Sequence, residues 1–139
     1  MLLGESESGK TTTFNLVYDT LLQEIDVNTD IIEPRQQLGG NPNDFECVLR
    51  YKGRIIGFYS MGDFPHRVGL AISRYRNRKK CDIFVFAMNN DREGWEGHIE
   101  NENPEIVDKN RDFVESNGIS NDDNRCRNVI ITHIHAAIA

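Results

Sequence analysis

Apolar residues at Phe14, Val17, Tyr18, Leu21, Leu22 and Ile25 recur with the three-and-four spacing of one helical face, which predicts a helix from about Lys10 to Ile25. Met1-Leu2-Leu3 precedes it as a short strand, and a turn rich in glycine and serine separates the two. From Asp26 to Asp44 the pattern dissolves. Pro34, Gly39, Gly40 and Pro42 punctuate a stretch of little periodicity, which reads as a long surface loop of the kind that is functional or mobile. Phe45 to Tyr51 then alternates, with Phe45, Cys47, Leu49 and Tyr51 on one side. Arg54 to Ser60 continues beyond a Lys52-Gly53 turn, so the two segments form an antiparallel hairpin.

Past Gly62, Pro65 helps start a helix whose buried stripe is Val68, Ala71, Ile72 and Tyr75. Ile83 to Met88 is a continuous apolar run, the pattern of a strand covered on both faces. Asn103-Pro104 is expected to open another helix, with Ile106, Val107, Phe113 and Val114 inward and Gly118 near its end; Val129-Ile130-Ile131-Thr132 is expected to start a last central strand. Strand, turn, helix, hairpin, helix, strand, helix, strand is the order of an α/β three-layer sandwich with a mainly parallel sheet and one antiparallel edge strand.

The chain's 139 residues suit a single domain spanning 1–139. Lysine and arginine number 16 against 22 acidic residues, a net charge of −6, and this argues against a dedicated nucleic-acid binder. No apolar run approaches the ~20 residues of a membrane span and no secretory leader pattern is present, so a cytoplasmic location without a membrane partner is expected. Cys47, Cys81 and Cys126 are odd in number and lack CxxC spacing, which predicts reduced, half-buried thiols.

The chemistry concentrates in Gly4-Glu5-Ser6-Glu7-Ser8-Gly9-Lys10-Thr11, a full match to G-x-x-x-x-G-K-[ST] between a strand and a helix. The two glycines let the backbone curl so that successive N–H groups form a concave anion nest, and the helix N-terminus adds partial positive charge. The loop from Gly4 through Thr12 is the candidate phosphate cradle. Lys10 would reach the β- and γ-phosphates, Thr11 would ligate Mg²⁺, and Glu5 and Glu7 should point out to water.

These residues resemble P-loop NTPases. The hairpin and the glycine turn after it, with the strand from Cys81 to Asn90, further resemble the layout of Ras-like GTPases. That resemblance implies a γ-phosphate contact from the N–H of Gly62 in the turn Tyr59-Ser60-Met61-Gly62-Asp63. The family's metal-holding aspartate falls on Tyr59, leaving Asp63 as the nearest carboxylate, either a metal partner or an N-cap for the following helix. Where the family reads guanine, at the end of the strand expected from Val129, His135 stands in place of the aspartate, so guanine specificity is not implied and the ligand is ATP or GTP. A three-residue first strand and an end just after the last expected strand suggest a minimal or truncated domain.

Other residues compete for attention. Asn89-Asn90-Asp91 reads as a turn. His133 and His135, two apart on the expected strand, would share a face, but no third zinc ligand of suitable spacing is evident. Arg74, Arg76, Arg78, Lys79 and Lys80, interleaved with Tyr75, form a basic run expected to be a solvated helix face. Thr29 and Arg35 lie in the long loop that the resemblance assigns to a nucleotide-sensing switch, where either is a candidate for phosphate or metal. Trp95 between Gly94 and Glu96 reads as a packing anchor.

The function expected from all this is Mg²⁺-dependent binding and hydrolysis of a nucleoside triphosphate, with Lys10 and Gly62 stabilising the transferred phosphoryl and Thr11 and Asp63 holding the metal. A small-molecule or nucleotide kinase and a non-catalytic nucleotide-gated module are the alternatives, and a protein partner is left open.

Overall fold

The computed structural model describes residues 1–111 and 118–139. Along the chain run β1 (Leu2–Gly4), α1 (Lys10–Leu22), β2 (Ile31–Gln37), β3 (Phe45–Tyr51), β4 (Arg54–Tyr59), α2 (Pro65–Asn77), β5 (Ile83–Asn89), a short 3-10 helix (Trp95–His98), β6 (Val107–Asp108) and α3 (Asn121–Ile138). Among the described residues the strands form one sheet in the order β2-β3-β4-β5-β1-β6. β4, β5, β1 and β6 are mutually parallel, while β3 runs against both of its neighbours. The antiparallel strand is therefore not at the edge, as expected, but one place in from it.

Successive residues of each central strand face opposite sides of the sheet. Leu2, Val85 and Ala87 join Phe14, Val17 and Leu21 of α1 and Cys126, Ile130 and Ile134 of α3 in one core. Leu3, Phe86 and Met88 join Val68, Ala71, Ile72 and Tyr75 of α2 in the other. Helices on both faces make the molecule an α/β fold compatible with a three-layer sandwich. No helix among the described residues is long and apolar enough to cross a membrane.

Three further sequence expectations are corrected. The stretch read as a loop from Asp26 to Asp44 contains β2, an edge strand whose register shifts on both sides of Glu33 and which carries Pro34, a residue that edges tolerate. Its Arg35 lays its guanidinium 4.1 Å from the Phe45 ring centroid and 5.4 Å from that of Tyr18. The strand expected at Val129–Thr132 is the middle of α3. Ser120 accepts a hydrogen bond from Asp123 N while the Asp123 carboxylate accepts from Ser120 N, a capping box that starts a helix, and Cys126, Ile130 and Ile134 repeat every four residues along its buried stripe. The helix expected from Asn103 is not formed through Val107, which pairs with Leu2 in β6, and Ile106 is exposed. Phe113 and Val114 lie outside the described residues.

Candidate functional site

At the carboxyl ends of β1, β4 and β5, where parallel sheets place their ligands, a pocket of about 560 Å³ opens. Ser6 through Thr12, Asp44, Ser60, Gly62, Asp63, Asn89 and Arg92 all contribute to its wall.

The loop that leads into α1 is built for close backbone approach. Glu7 and Gly9 both have positive φ, 59° and 98°. A Cβ on Gly9 would stand 2.6 Å from an Asp123 carboxylate oxygen, so only glycine fits there. Gly9 caps α1 without any side-chain hydrogen bond, and the first turn carries no acid. Glu5 and Glu7 are exposed, as expected, and Glu5 meets Arg111 at 3.4 Å.

Lys10 is only 6 % exposed. Its ammonium donates to the carbonyls of Gly4, at 3.1 Å, and Glu5, and no salt bridge involves it among the described residues. Burial pulls its pKa from 10.5 down to about 8, against the opposing charges of Asp91 and Asp63.

A second lysine, unremarked in the sequence, anchors the loop from behind. Lys109, just past β6, has a side chain 1 % exposed that pairs with Asp122 at 3.1 Å and Asp123 at 3.0 Å, the acids opening α3. The same ammonium donates to Ser8 O at 2.7 Å. Because a trans peptide holds C=O and N–H on opposite sides, fixing the Ser8 carbonyl toward Lys109 turns the Gly9 N–H away from it. Burial raises Asp122, but hydrogen bonds from Arg125, the Asn110 N–H and Lys109 hold it below the usual carboxylate value.

Asp44 is the other residue that sequence reasoning missed. It is 7 % exposed and accepts from Thr11 Oγ1 at 2.9 Å and Ser60 Oγ at 3.0 Å, both through Oδ1. Ser60 Oγ in turn accepts from Phe45 N at 2.8 Å, so the strand start fixes the hydroxyl. Asp63 lines the same pocket, but its Oδ1 accepts from Asn89 Nδ2 at 2.6 Å. It does not cap α2, whose N-cap is Phe64 without a side-chain bond. Gly62 lies where a Cβ would come within 2.8 Å of the Met88 backbone, and its carbonyl accepts from Asn89 N at 3.1 Å. Since β5 lies between β1 and β4, Asn89 bridges their loops, its Nδ2 also donating to Ser6 Oγ at 3.1 Å.

The remaining candidates go elsewhere. Thr29 and Arg35 do not line the pocket. His133 and His135 lie on α3, where residues two apart do not share a face, and His135 Nε2 sits 3.1 Å from Tyr51 Oη at the far end of β3. Three of the five cations of the basic run form ion pairs: Arg74 with Glu46, Arg76 with Glu102, Lys79 with Glu33. Trp95 packs half-buried against the α2 core. The three cysteines are free thiols, and burial pushes them up to about 12 for Cys47 and about 11 for Cys81 and Cys126. No family model, curated protein or solved structure matches the chain.

Proposed function

We propose that this pocket binds a Mg²⁺-complexed nucleoside triphosphate, ATP or GTP, and hydrolyses its β–γ bond. The observation that carries the reading is Lys10: a buried ammonium with no ion-pair partner among the described residues, held by the carbonyls of a glycine-rich loop whose sequence is G-x-x-x-x-G-K-T. A buried charge held only by neutral dipoles is costly, and a phosphate at the mouth of the loop offsets that cost.

The donor set suits the metal. Mg²⁺ takes hard oxygens, commonly one or two carboxylates with substrate phosphates, and the Thr11 hydroxyl and Asp44 carboxylate are such a pair, already in contact. No group of three or more His, Cys, Asp or Glu able to hold a metal exists among the described residues, so water and phosphate oxygens would complete the shell. The wall itself carries Lys10 and Arg92 against Glu7, Asp44 and Asp63, more negative than positive, which makes affinity for a polyanion depend on the metal. When bound, Mg²⁺ neutralises phosphate charge and orients the chain for in-line attack.

In this reading Thr11 and Asp44 would hold the metal, and Asp63, bonded by Asn89, lines the same pocket. Lys10 releases the Gly4 and Glu5 carbonyls to meet the phosphates and stabilises charge developing on the transferred phosphoryl. Gly62 contributes its N–H to the γ-phosphate, and the amides of Ser6 to Thr12 form the cradle. Phosphate release from ATP and from GTP with Mg²⁺, beside a Lys10→Ala control, tests the reaction. Release that disappears in the variant supports hydrolysis; tight binding without release reduces the protein to a nucleotide-gated module.

A further inference from the structure

The aspartate in the turn after β5 does more than close a turn. Ser6 N donates to Asp91 Oδ2 at 3.0 Å and Ser6 Oγ donates to Asp91 Oδ1 at 3.0 Å, so one carboxylate takes two donors of the glycine-rich loop, each with its own oxygen. Those are the donor types that a phosphate needs. Asn89 Nδ2 braces the same hydroxyl from the end of the strand, at 3.1 Å, which fixes Ser6 opposite Asp91. The Asp91 side chain is exposed, and among the charges around Lys10 it has the largest effect.

We propose that Asp91 is a charge gate on the phosphate loop: it accepts from both Ser6 donors and makes the site select the metal-complexed triphosphate over the bare polyanion. This rests on the nucleotide reading above and adds a specificity-determining residue to it. The physics is a difference of charges. A fixed carboxylate beside the loop repels a bare triphosphate more than its Mg²⁺ complex, because Coulomb energy scales with the ligand's net charge. Any cost or gain from freeing Ser6 falls on both ligand forms equally and cancels in their ratio.

The test is the ratio of dissociation constants for ATP, and separately for GTP, measured with excess Mg²⁺ and with EDTA, in the wild type, Asp91→Asn, Asp91→Ser and Asp91→Glu. Both neutral variants should narrow the preference for the Mg²⁺ complex by about tenfold at low salt, while Asp91→Glu keeps it. An unchanged or widened ratio in the neutral variants overturns the gate and leaves Asp91 as a mechanical brace. Failure of the wild type to bind either nucleotide in either form overturns the nucleotide reading and the gate with it.

Discussion

Lys10 in the glycine-rich loop and the run from Arg74 to Lys80 at the end of α2 are the two places where cations draw the eye along the chain, and the fold treats them in opposite ways. Arg74, Arg76 and Lys79 reach outward to Glu46, Glu102 and Glu33, with Arg76 60 % exposed. Pairs of that kind are screened by water and salt and contribute little. Lys10 is drawn inward among carbonyls, without an ion pair among the described residues, and burial lowers its pKa against the charges of Asp91 and Asp63. Cations paired on the surface are scaffold, whereas a buried cation bonded to carbonyls is, in the proposed reading, the place where an anion would bind.

The sharpest way to break that contrast is through the lysine behind the loop. Lys109→Met leaves Asp122 and Asp123 without their shared ammonium and frees the Ser8 carbonyl. Removing one side of a buried ion group costs about 3 kcal/mol, which lowers the melting temperature by roughly 10 °C in a scanning calorimeter. A shift of under about 2 °C would show that the two acids are satisfied without it.

Next in size is the metal. Asp44→Ala removes the acceptor shared by Thr11 and Ser60 and should raise the Mg²⁺ concentration needed for nucleotide binding by about ten- to a hundredfold, read by titrating the metal at fixed nucleotide. If Asp63→Ala has that effect and Asp44→Ala does not, the carboxylates exchange roles.

The pH dependence follows from Lys10. With a free-state pKa of about 8, its ammonium is charged below that pH in both free and bound protein. Above it, binding must bring a proton, so affinity falls by up to about tenfold per pH unit, and calorimetry in buffers of different ionisation enthalpy registers proton uptake. Stability of the ligand-free protein moves the other way: the unfolded chain holds the proton up to 10.5, so stability rises as pH climbs from about 8 toward that value. Flat affinity across the window contradicts a buried, charged Lys10. Smallest of all, Arg76→Ala should change unfolding free energy by less than about 1 kcal/mol, because its pair with Glu102 is solvent-exposed.

Much of this was legible in the residues alone. The loop motif, α1, the hairpin, α2 with its stripe and β5 all announce themselves because local pattern and tertiary role agree. β2 hides because an edge strand containing Pro34 and two glutamines buries little, so its pairing to β3 leaves no periodic trace. α3 misleads because Val129-Ile130-Ile131 is β-branched, and only its partners, the Ser120 cap and the four-residue repeat against α1, select a helix. Asp44 and Lys109 are single residues whose importance arises from contacts 33 and 101 positions away along the chain, to Thr11 and Ser8. No spacing rule connects such residues before the sheet does.

Calorimetric titration of the protein with ATP and with GTP in the presence of Mg²⁺, beside Lys10→Ala, tests the central claim most directly. The account predicts saturable binding of at least one nucleotide by the wild type and a loss of about a hundredfold in the variant, which should remain folded because it sheds a desolvated charge. Binding of neither nucleotide by the wild type, or equal binding by Lys10→Ala, would contradict it.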